Sequence, residues 1–138
     1  MDSSTTSANT PLSCGVALIT HNGVKYLPQQ LHSILAQTRA VSHIVVSDDA
    51  STDGTWAYLE AWASEAPVRV TLVRNDPPLG VSANFEQAMR LVDADIVFSS
   101  DQDDVWMPDK VALLAGVFEA DDSVQLAHTD AILVDANG

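Results

Sequence analysis

Residues 43–54, HIVVSDDASTDG, carry the pattern that decides the fold class. The run Ile44-Val45-Val46 is apolar and β-branched, as in a buried strand, and the small polar and acidic residues after it are typical of a strand end. A helical pattern begins directly afterwards, at about Thr55. The stretch is therefore predicted to be a strand, a loop and the start of a helix, as in α/β proteins.

The same alternation continues on both sides of this stretch. Apolar runs that favour strands recur along the chain, with helical patterns between them. This alternation predicts a mostly parallel sheet. The expected strands are residues 14–20, 43–49, 68–74, 95–100 and 124–135.

Four helices are expected to cover this sheet, because apolar residues recur at helical spacing between the strands. The expected stripes are Leu27, Leu31, Ile34 and Leu35 in the first helix, Leu59, Trp62, Ala63 and Ala66 in the second, and Val81, Phe85, Ala88, Met89 and Val92 in the third. The fourth helix is expected from near Pro108 to about Glu119, since proline is favoured in a first helical turn.

Length and charge indicate one domain that does not bind nucleic acid. A chain of 138 residues can bury one sizeable core, so we expect a disordered tail over residues 1–11 and one domain over residues 12–138. The formal net charge of −13 argues against DNA or RNA, since phosphate backbones need a basic surface. The single Cys14 excludes a disulfide framework, is expected to be a small core thiol and fits a cytoplasmic protein.

The sequence carries no pattern of a signal peptide or a membrane span. Residues 1–10 lack a basic start and an apolar run, and no apolar stretch reaches the roughly 18 residues of a transmembrane segment. The last residues, 135–138, form a strong turn signal that favours a further strand. We therefore expect a longer protein, cytoplasmic or peripheral at the inner face of the membrane.

Polar residues follow three of the expected strands, where open α/β sheets bind ligands. These segments are residues 20–23, THNG; residues 47–54, SDDASTDG; and residues 99–104, SSDQDD. The first segment has neither the GxGxxG of dinucleotide-binding domains nor a P-loop pattern. A receiver domain or an aspartate-nucleophile phosphatase would need carboxylates after the first strand, so these classes are disfavoured as well.

Asp48 and Asp49, after the second strand, allow two interpretations. As groups that only accept hydrogen bonds, they suit a ribose hydroxyl or a base N–H. Alternatively, Ser51, Thr52 or Asp53 caps the next helix while Asp48 forms an Asx turn, which is the commoner role of such residues at a helix start. The residues alone leave both interpretations open.

Asp101 and Asp103 are two residues apart and share a face if the strand persists, with Asp104 as a further oxygen donor nearby. Mg²⁺ or Mn²⁺ bound by one or two carboxylates normally completes its shell with substrate phosphates. The pattern therefore predicts a metal site for a diphosphate. The alternative is an ordinary acidic surface turn.

Together these segments resemble the family 2 glycosyltransferases, which have the GT-A fold, over nearly all of residues 12–138. Four motifs in the expected order carry the resemblance: residues 17–22, ALITHN; residues 31–38, LHSILAQT; residues 45–54, VVSDDASTDG; and residues 100–110, SDQDDVWMPDK. The resemblance implies a Rossmann-like, three-layer α/β domain that binds a nucleotide-diphospho-sugar.

The resemblance also implies roles for the residues after the first two strands. Thr20, His21 and Asn22 would form the wall beside the base, with His21 at a position where the family usually has tyrosine. Asp49 would hydrogen-bond the base, and Asp48 would support the loop or the ribose.

Further roles follow for the later segments. Asp101, Gln102 and Asp103 would form the DxD segment that contacts the donor, with Asp101 and Asp103 as metal ligands and Asp103 as the first choice for direct coordination. Asn84 would contact the donor or, equally, face the core. Asp130 falls in the last apolar run, and from this position it is expected to satisfy a turn or the DxD loop.

The implied activity is inverting transfer from a donor of the dTDP-rhamnose or UDP-sugar type to a saccharide acceptor, with Mg²⁺ or Mn²⁺. The sequence of residues 101–106, DQDDVW, is similar to that of members that build surface polysaccharides such as O-antigens. The family's catalytic base lies on a later segment, beyond Gly138, so this chain alone is expected to be inactive. The alternatives are a nucleotidyltransferase, which would need a basic, glycine-rich first loop, and a non-catalytic metal- or nucleotide-binding module.

Overall fold

The computed structural model describes residues 11–101, 104–121 and 123, over which strands and helices alternate. The strands are β1 (Cys14–Thr20), β2 (His43–Asp49), β3 (Arg69–Asn75) and β4 (Ile96–Ser100). The helices are α1 (Leu27–Leu35), α2 (Thr55–Glu65), α3 (Val81–Leu91) and α4 (Lys110–Ala120). The described residues do not include residues 1–10 of the expected tail. They also do not include the strand expected over residues 124–135, in which Asp130 lies.

The four described strands form one parallel sheet, as the alternation predicts. Their order in the sheet is β3-β2-β1-β4. Leu18 of β1 is level with Val46 of β2 on one side and with Ser100 of β4 on the other. The chain adds β2 and β3 on one side of β1 and then crosses to add β4 on the other side. The strand order therefore reverses between β1 and β4, where open α/β sheets bind ligands.

Helices cover both faces of the sheet, because alternate residues of a strand point to opposite faces. Val16 and Leu18 of β1 pack with apolar residues of α1, α2 and α4, whereas Ala17 and Ile19 pack with Ala88 of α3. The expected three-layer α/β arrangement is confirmed. It also explains why β1 and β2 are buried along their whole length.

The predicted helical stripes are confirmed for α1 and only in part for α2 and α3. Leu27, Leu31 and Ile34 of α1 are fully buried. In α3 the stripe is buried at Ala88 and partly buried at Phe85 and Val92, whereas Val81 is 66% exposed and Met89 is 46% exposed. Helical spacing reveals an apolar face, but only the neighbours decide whether that face is covered. In α2 the stripe is buried at Leu59 and only partly buried at Trp62, Ala63 and, just beyond the helix, Ala66.

The single cysteine of the chain lies in the core. Cys14 is a buried free thiol, as expected, and burial raises its pKa. Over the part of the chain that the structure describes, no helix is both long enough and apolar enough to cross a membrane.

Gly15 lies where β1 packs against the connection between α3 and β4. A β-carbon added there would lie 2.4 Å from Cγ1 of Val92 and 3.0 Å from Cβ of Ala94. We therefore expect Gly15→Ala to lower the free energy of unfolding by about 1–3 kcal/mol, the usual cost of overpacking. Chemical denaturation followed by circular dichroism would measure the change.

The matched control is Gly116→Ala in α4, where an added β-carbon meets nothing within 4 Å. Alanine favours a helix over glycine, so this substitution should raise the free energy of unfolding by about 0.5–1 kcal/mol. A Gly15→Ala chain that is as stable as the wild type or more stable would contradict the tight packing at Gly15.

Candidate functional site

The carboxyl ends of the strands bring the described site residues to one edge of the sheet. Thr20 at the end of β1 is level with Asp48 of β2, and Asp49 is level with Asn75 of β3. On the other side of β1, Asp101 directly follows the last residue of β4. Residues that are far apart in the sequence thus share one edge, because parallel strands end on the same side.

Asp48 is fully buried and supports the loop after β2. Its Oδ1 accepts hydrogen bonds from the hydroxyls of Thr20 and Ser51, each at 2.6 Å, and its Oδ2 accepts one from the N–H of Ser51 at 3.0 Å. Asp48 is 0% exposed, so a ligand cannot reach its carboxylate, whereas Asp49 keeps an exposure of 7%. This geometry favours the loop-supporting role over a contact with ribose, and Thr20, which is 2% exposed, serves the same loop.

Asp49 joins the end of β2 to the loop before α3. Its Oδ1 accepts hydrogen bonds from the N–H of Leu79 at 2.7 Å and from Nδ2 of Asn75 at 3.0 Å, and its Oδ2 accepts one from the N–H of Gly80 at 2.9 Å. Gly80 has a φ of 91°, a conformation that favours glycine. Burial by itself raises the pKa of Asp49, but these hydrogen bonds outweigh burial and leave the pKa below its ordinary value.

Asn84 belongs to a buried polar network behind Asp49. Its Nδ2 donates to the carbonyl of Ser47 at 3.0 Å, and its Oδ1 accepts from Nδ2 of Asn75 at 2.9 Å. Nε2 of Gln87 donates to Oγ of Ser47 and to Oδ1 of Asn75, at 2.8 Å each. Asn84 is 2% exposed, which favours its core-facing alternative. Asn75 and Gln87 lie in none of the four motifs. The register of β2 with β3 places Asn75 in this network, and the packing of α3 on the sheet places Gln87 there.

His21 and Asn22 form an exposed wall at the end of β1, which we call the His21 wall. Nδ1 of His21 lies 2.7 Å from the carbonyl oxygen of Asp49, and a carbonyl only accepts, so the N–H is on Nδ1. Asn22, with a φ of 50°, donates its N–H to Oγ of Ser51 at 2.8 Å and accepts at Oδ1 from the N–H of Thr52 at 2.7 Å. The loops after β1 and β2 are therefore tied together.

Asp53 stabilises the start of α2. Its Oδ1 accepts a hydrogen bond from the N–H of Thr55 at 3.0 Å, and its Oδ2 accepts one from the N–H of Val24 at 3.3 Å. The residue between Asp53 and the helix is Gly54, which has a φ of 96°. Gly54 is thus the N-cap residue, and no side chain caps the helix, so the expected capping by Ser51, Thr52 or Asp53 is wrong. Asp53 supports the helix start from one position before the cap, through its hydrogen bond to the N–H of Thr55.

Asp101 and Asp104 form an exposed turn after β4, which we call the acidic turn. The N–H of Asp101 donates to Oδ2 of Asp104, and the N–H of Asp104 donates to the carbonyl of Asp101, both at 3.1 Å. Gln102 and Asp103 lie outside the described residues.

Within the described part of the chain, no three His, Cys, Asp or Glu side chains are grouped to hold a metal by themselves. Exposed carboxylates on one turn do fit Mg²⁺ or Mn²⁺, because phosphates complete the shell of these ions.

The same edge of the sheet lies within a region that matches a known family. Residues 15–136 match the family model described as Glycosyl transferase family 2. This chain belongs to glycosyl transferase family 2. Membership confirms the resemblance seen in the motifs.

Relatives and solved structures agree with the family and the fold. The chain is 33% identical to the dTDP-rhamnosyl transferase RfbG of Shigella flexneri over 98 residues, which are 68% of this chain and 34% of RfbG. The mannosyltransferase PcManGT of Pyrobaculum calidifontis, solved with GDP-Man and Mn²⁺, has a TM-score of 0.68 at 28% identity, over 80% of this chain and 32% of that one. TarS of S. aureus, solved with UDP, has a TM-score of 0.69 at 21% identity, over 78% of this chain and 32% of TarS, and shows the fold alone.

These likenesses confirm the expected GT-A fold. They also define how much of a family 2 enzyme this chain represents. It covers 34% of RfbG and 32% of PcManGT, so it spans about a third of the length of the relatives it matches.

Two cations of this family 2 chain lie beside the site. Arg74 lies in none of the four motifs, and Lys110 ends the fourth motif, where no role was predicted for it. Nη2 of Arg74 is 3.4 Å from the carbonyl oxygen of Ser51 in the loop after β2. Nζ of Lys110 lies 4.5 Å from the ring centroid of Trp106. Burial lowers the pKa of Lys110, while the charge of Asp104 acts in the opposite direction.

Proposed function

We propose that this chain binds the nucleotide-diphospho-sugar donor of an inverting glycosyl transfer. In this proposal the base lies against the His21 wall, Asp49 hydrogen-bonds the base, and the diphosphate lies at the acidic turn. One observation carries the proposal. The His21 wall directly follows β1 and the acidic turn directly follows β4, so the wall and the turn flank the point where the strand order reverses. A nucleotide can span two such neighbouring strand ends.

The family and its members support this type of donor. RfbG is a dTDP-rhamnosyl transferase, and PcManGT was solved with GDP-Man. We propose a donor of the dTDP-rhamnose or UDP-sugar type and a saccharide acceptor, in the synthesis of a polysaccharide or O-antigen type glycan. A cytoplasmic location, at or near the inner face of the membrane, stays a prediction.

Asp101 and Asp103 are proposed to bind a divalent ion, Mg²⁺ or Mn²⁺, with Gln102 contacting the donor beside them. The bound ion would neutralise the charge that grows on the departing nucleoside diphosphate. The presence of Mn²⁺ in the PcManGT structure supports this cofactor type. The catalytic base, which takes the proton from the acceptor hydroxyl, is proposed to lie beyond Gly138.

Titration of the chain with UDP, dTDP and GDP in the presence of Mg²⁺, followed by NMR, tests the proposal. One of the three should shift the amide signals of residues 20–22, 49–53 and 100–104, because the proposed base and diphosphate contacts lie there. The parent nucleoside should shift the first two groups only. Signals at the carboxyl end of α3, around the exposed Met89 and Arg90, serve as the control and should stay unchanged. Shifts confined to α3, or none with any diphosphate, would contradict the proposal.

A further inference from the structure

Helix α1 contacts the chain on both sides of the acidic turn through three buried polar side chains. Gln30, Ser33 and Gln37 occupy positions i, i+3 and i+7, so they lie along one face of α1 and of the turn that continues it. They are 0%, 9% and 8% exposed, respectively. We call these three residues the α1 polar ridge.

Gln30 contacts the end of β4 and the start of the acidic turn. Its Nε2 donates to Oγ of Ser100 at 2.8 Å and to the backbone carbonyl of Asp101. The same carbonyl accepts the N–H of Asp104 that closes the turn. Gln30 therefore holds the backbone from which the carboxylate of Asp101 projects.

The other two ridge residues hold the chain that leaves the acidic turn. Oγ of Ser33 accepts the N–H of Trp106 at 3.0 Å. Oε1 of Gln37 accepts the N–H of Val111 at 2.9 Å, and its Nε2 donates to the carbonyl of Met107 at 2.8 Å. All of these partners are backbone groups, so the ridge determines the path of the chain over residues 106–111.

Packing alone does not explain polar side chains at these positions, because Leu31 and Ile34 of the same helix lie in the apolar core. Burying an amide group is unfavourable unless its polar atoms are hydrogen-bonded. Oε1 of Gln30 is buried and has no hydrogen-bond partner within the described part of the chain. Leucine at this position would avoid that cost, so the function of Gln30 must lie in its amide donor.

We propose that the α1 polar ridge positions the acidic turn for binding of the metal and the diphosphate. Gln30 holds the turn itself, while Ser33 and Gln37 hold the chain that leaves it. The proposal rests on the proposed function, since the position of the turn matters only if the turn binds a diphosphate. The ridge hydrogen bonds described above do not involve the His21 wall, so binding of the nucleoside part should not depend on them.

The first test compares two affinities by calorimetry: that of the tightest-binding of UDP, dTDP and GDP with Mn²⁺, and that of its parent nucleoside. Gln30→Ala and Gln30→Met both remove the amide donor, and the second nearly preserves the size of the side chain without adding charge. Each should weaken diphosphate binding about tenfold and leave nucleoside binding unchanged. Gln29→Ala is the matched control, because Gln29 is the exposed neighbour on the same helix, and it should bind like the wild type. Unchanged diphosphate affinity in both Gln30 variants, or an equal loss of nucleoside affinity, would overturn the proposal.

The second test needs no ligand and measures amide hydrogen exchange. Ser33→Ala should speed the exchange of the Trp106 amide about tenfold, and Gln37→Ala should do the same for Val111, because each amide loses its acceptor. Slow exchange in β1 would show that the fold is intact. Unchanged exchange at both amides would overturn the proposed anchoring. If the wild-type chain bound no diphosphate, the proposed function would fail, and the exchange rates would still decide whether the ridge anchors this segment.

Discussion

Asp103→Asn is expected to abolish most of the effect of Mn²⁺ on the binding of a nucleoside diphosphate. In the wild-type chain, removal of the cation with EDTA should weaken this binding by up to about a thousandfold, since unit charges about 4 Å apart at an effective dielectric constant near 20 interact by roughly 4 kcal/mol. A nucleoside without phosphates should hardly respond. Calorimetry with and without EDTA measures both affinities.

The physical reason is the negative charge around the acidic turn. Asp101 and Asp104 are exposed, and the whole chain has a formal net charge of −13, so a diphosphate approaching the turn meets like charge. A divalent ion reverses the sign of this local field. Asparagine at position 103 nearly keeps the shape of the aspartate and removes its charge, so the variant should lose the metal effect without unfolding.

Asp93→Asn is the matched control, because it makes the same change of charge at the opposite edge of the sheet. The N–H of Asp93 donates to Nδ1 of His43, the first residue of β2. The substitution also removes an exposed ion pair with Arg69, which contributes little to stability. The metal effect should persist in this variant. Equal diphosphate affinity of the wild type with and without EDTA would mean that the acidic turn is only structural.

Asp49→Ala is expected to weaken nucleoside binding by roughly 1.5–3 kcal/mol, or about ten- to a hundredfold, the range for a hydrogen bond to a charged group. The same substitution should lower the free energy of unfolding, because the amides of Leu79 and Gly80 lose their acceptor. Calorimetry gives the affinity and chemical denaturation gives the stability.

Asp95→Ala separates these two effects of Asp49. Oδ2 of Asp95 accepts the N–H of Ser13 at 2.8 Å, next to the amino end of β4 and away from the strand ends that carry the site. This variant should also lose stability, because a backbone amide loses a carboxylate, yet its nucleoside affinity should match the wild type. If folded Asp49→Ala bound the nucleoside as well as the wild type, Asp49 would only anchor the loop before α3.

Local patterns predicted the described strands and helices and the order in which they follow one another along the chain. The expected strands over residues 14–20 and 43–49 agree with β1 and β2 at every residue, because continuous apolar runs mark strands that are buried on both faces. The fourth helix, expected from near Pro108, spans Lys110–Ala120. The family was also recognisable, since its motifs are short segments that stand in order along the chain.

The roles of the polar residues depended on the tertiary structure. Asp48 and Asp49 are neighbours in one acidic run, yet Asp48 binds Thr20 and Ser51 while Asp49 binds the loop before α3. Side chains alternate along a strand, so adjacent residues meet different partners. Which partner each one finds depends on the register with β1 and β3.

Spacing in the sequence determined that this chain is a parallel α/β domain with carboxylates at its strand ends, because strand and helix periodicities are local properties. Only the tertiary structure decided that Asn84 faces the core, that Val81 is exposed and that Gln30 reaches the backbone of Asp101. Gln30 and Asp101 are 71 positions apart. Contacts of this kind depend on which elements pack together, and no local periodicity records that choice.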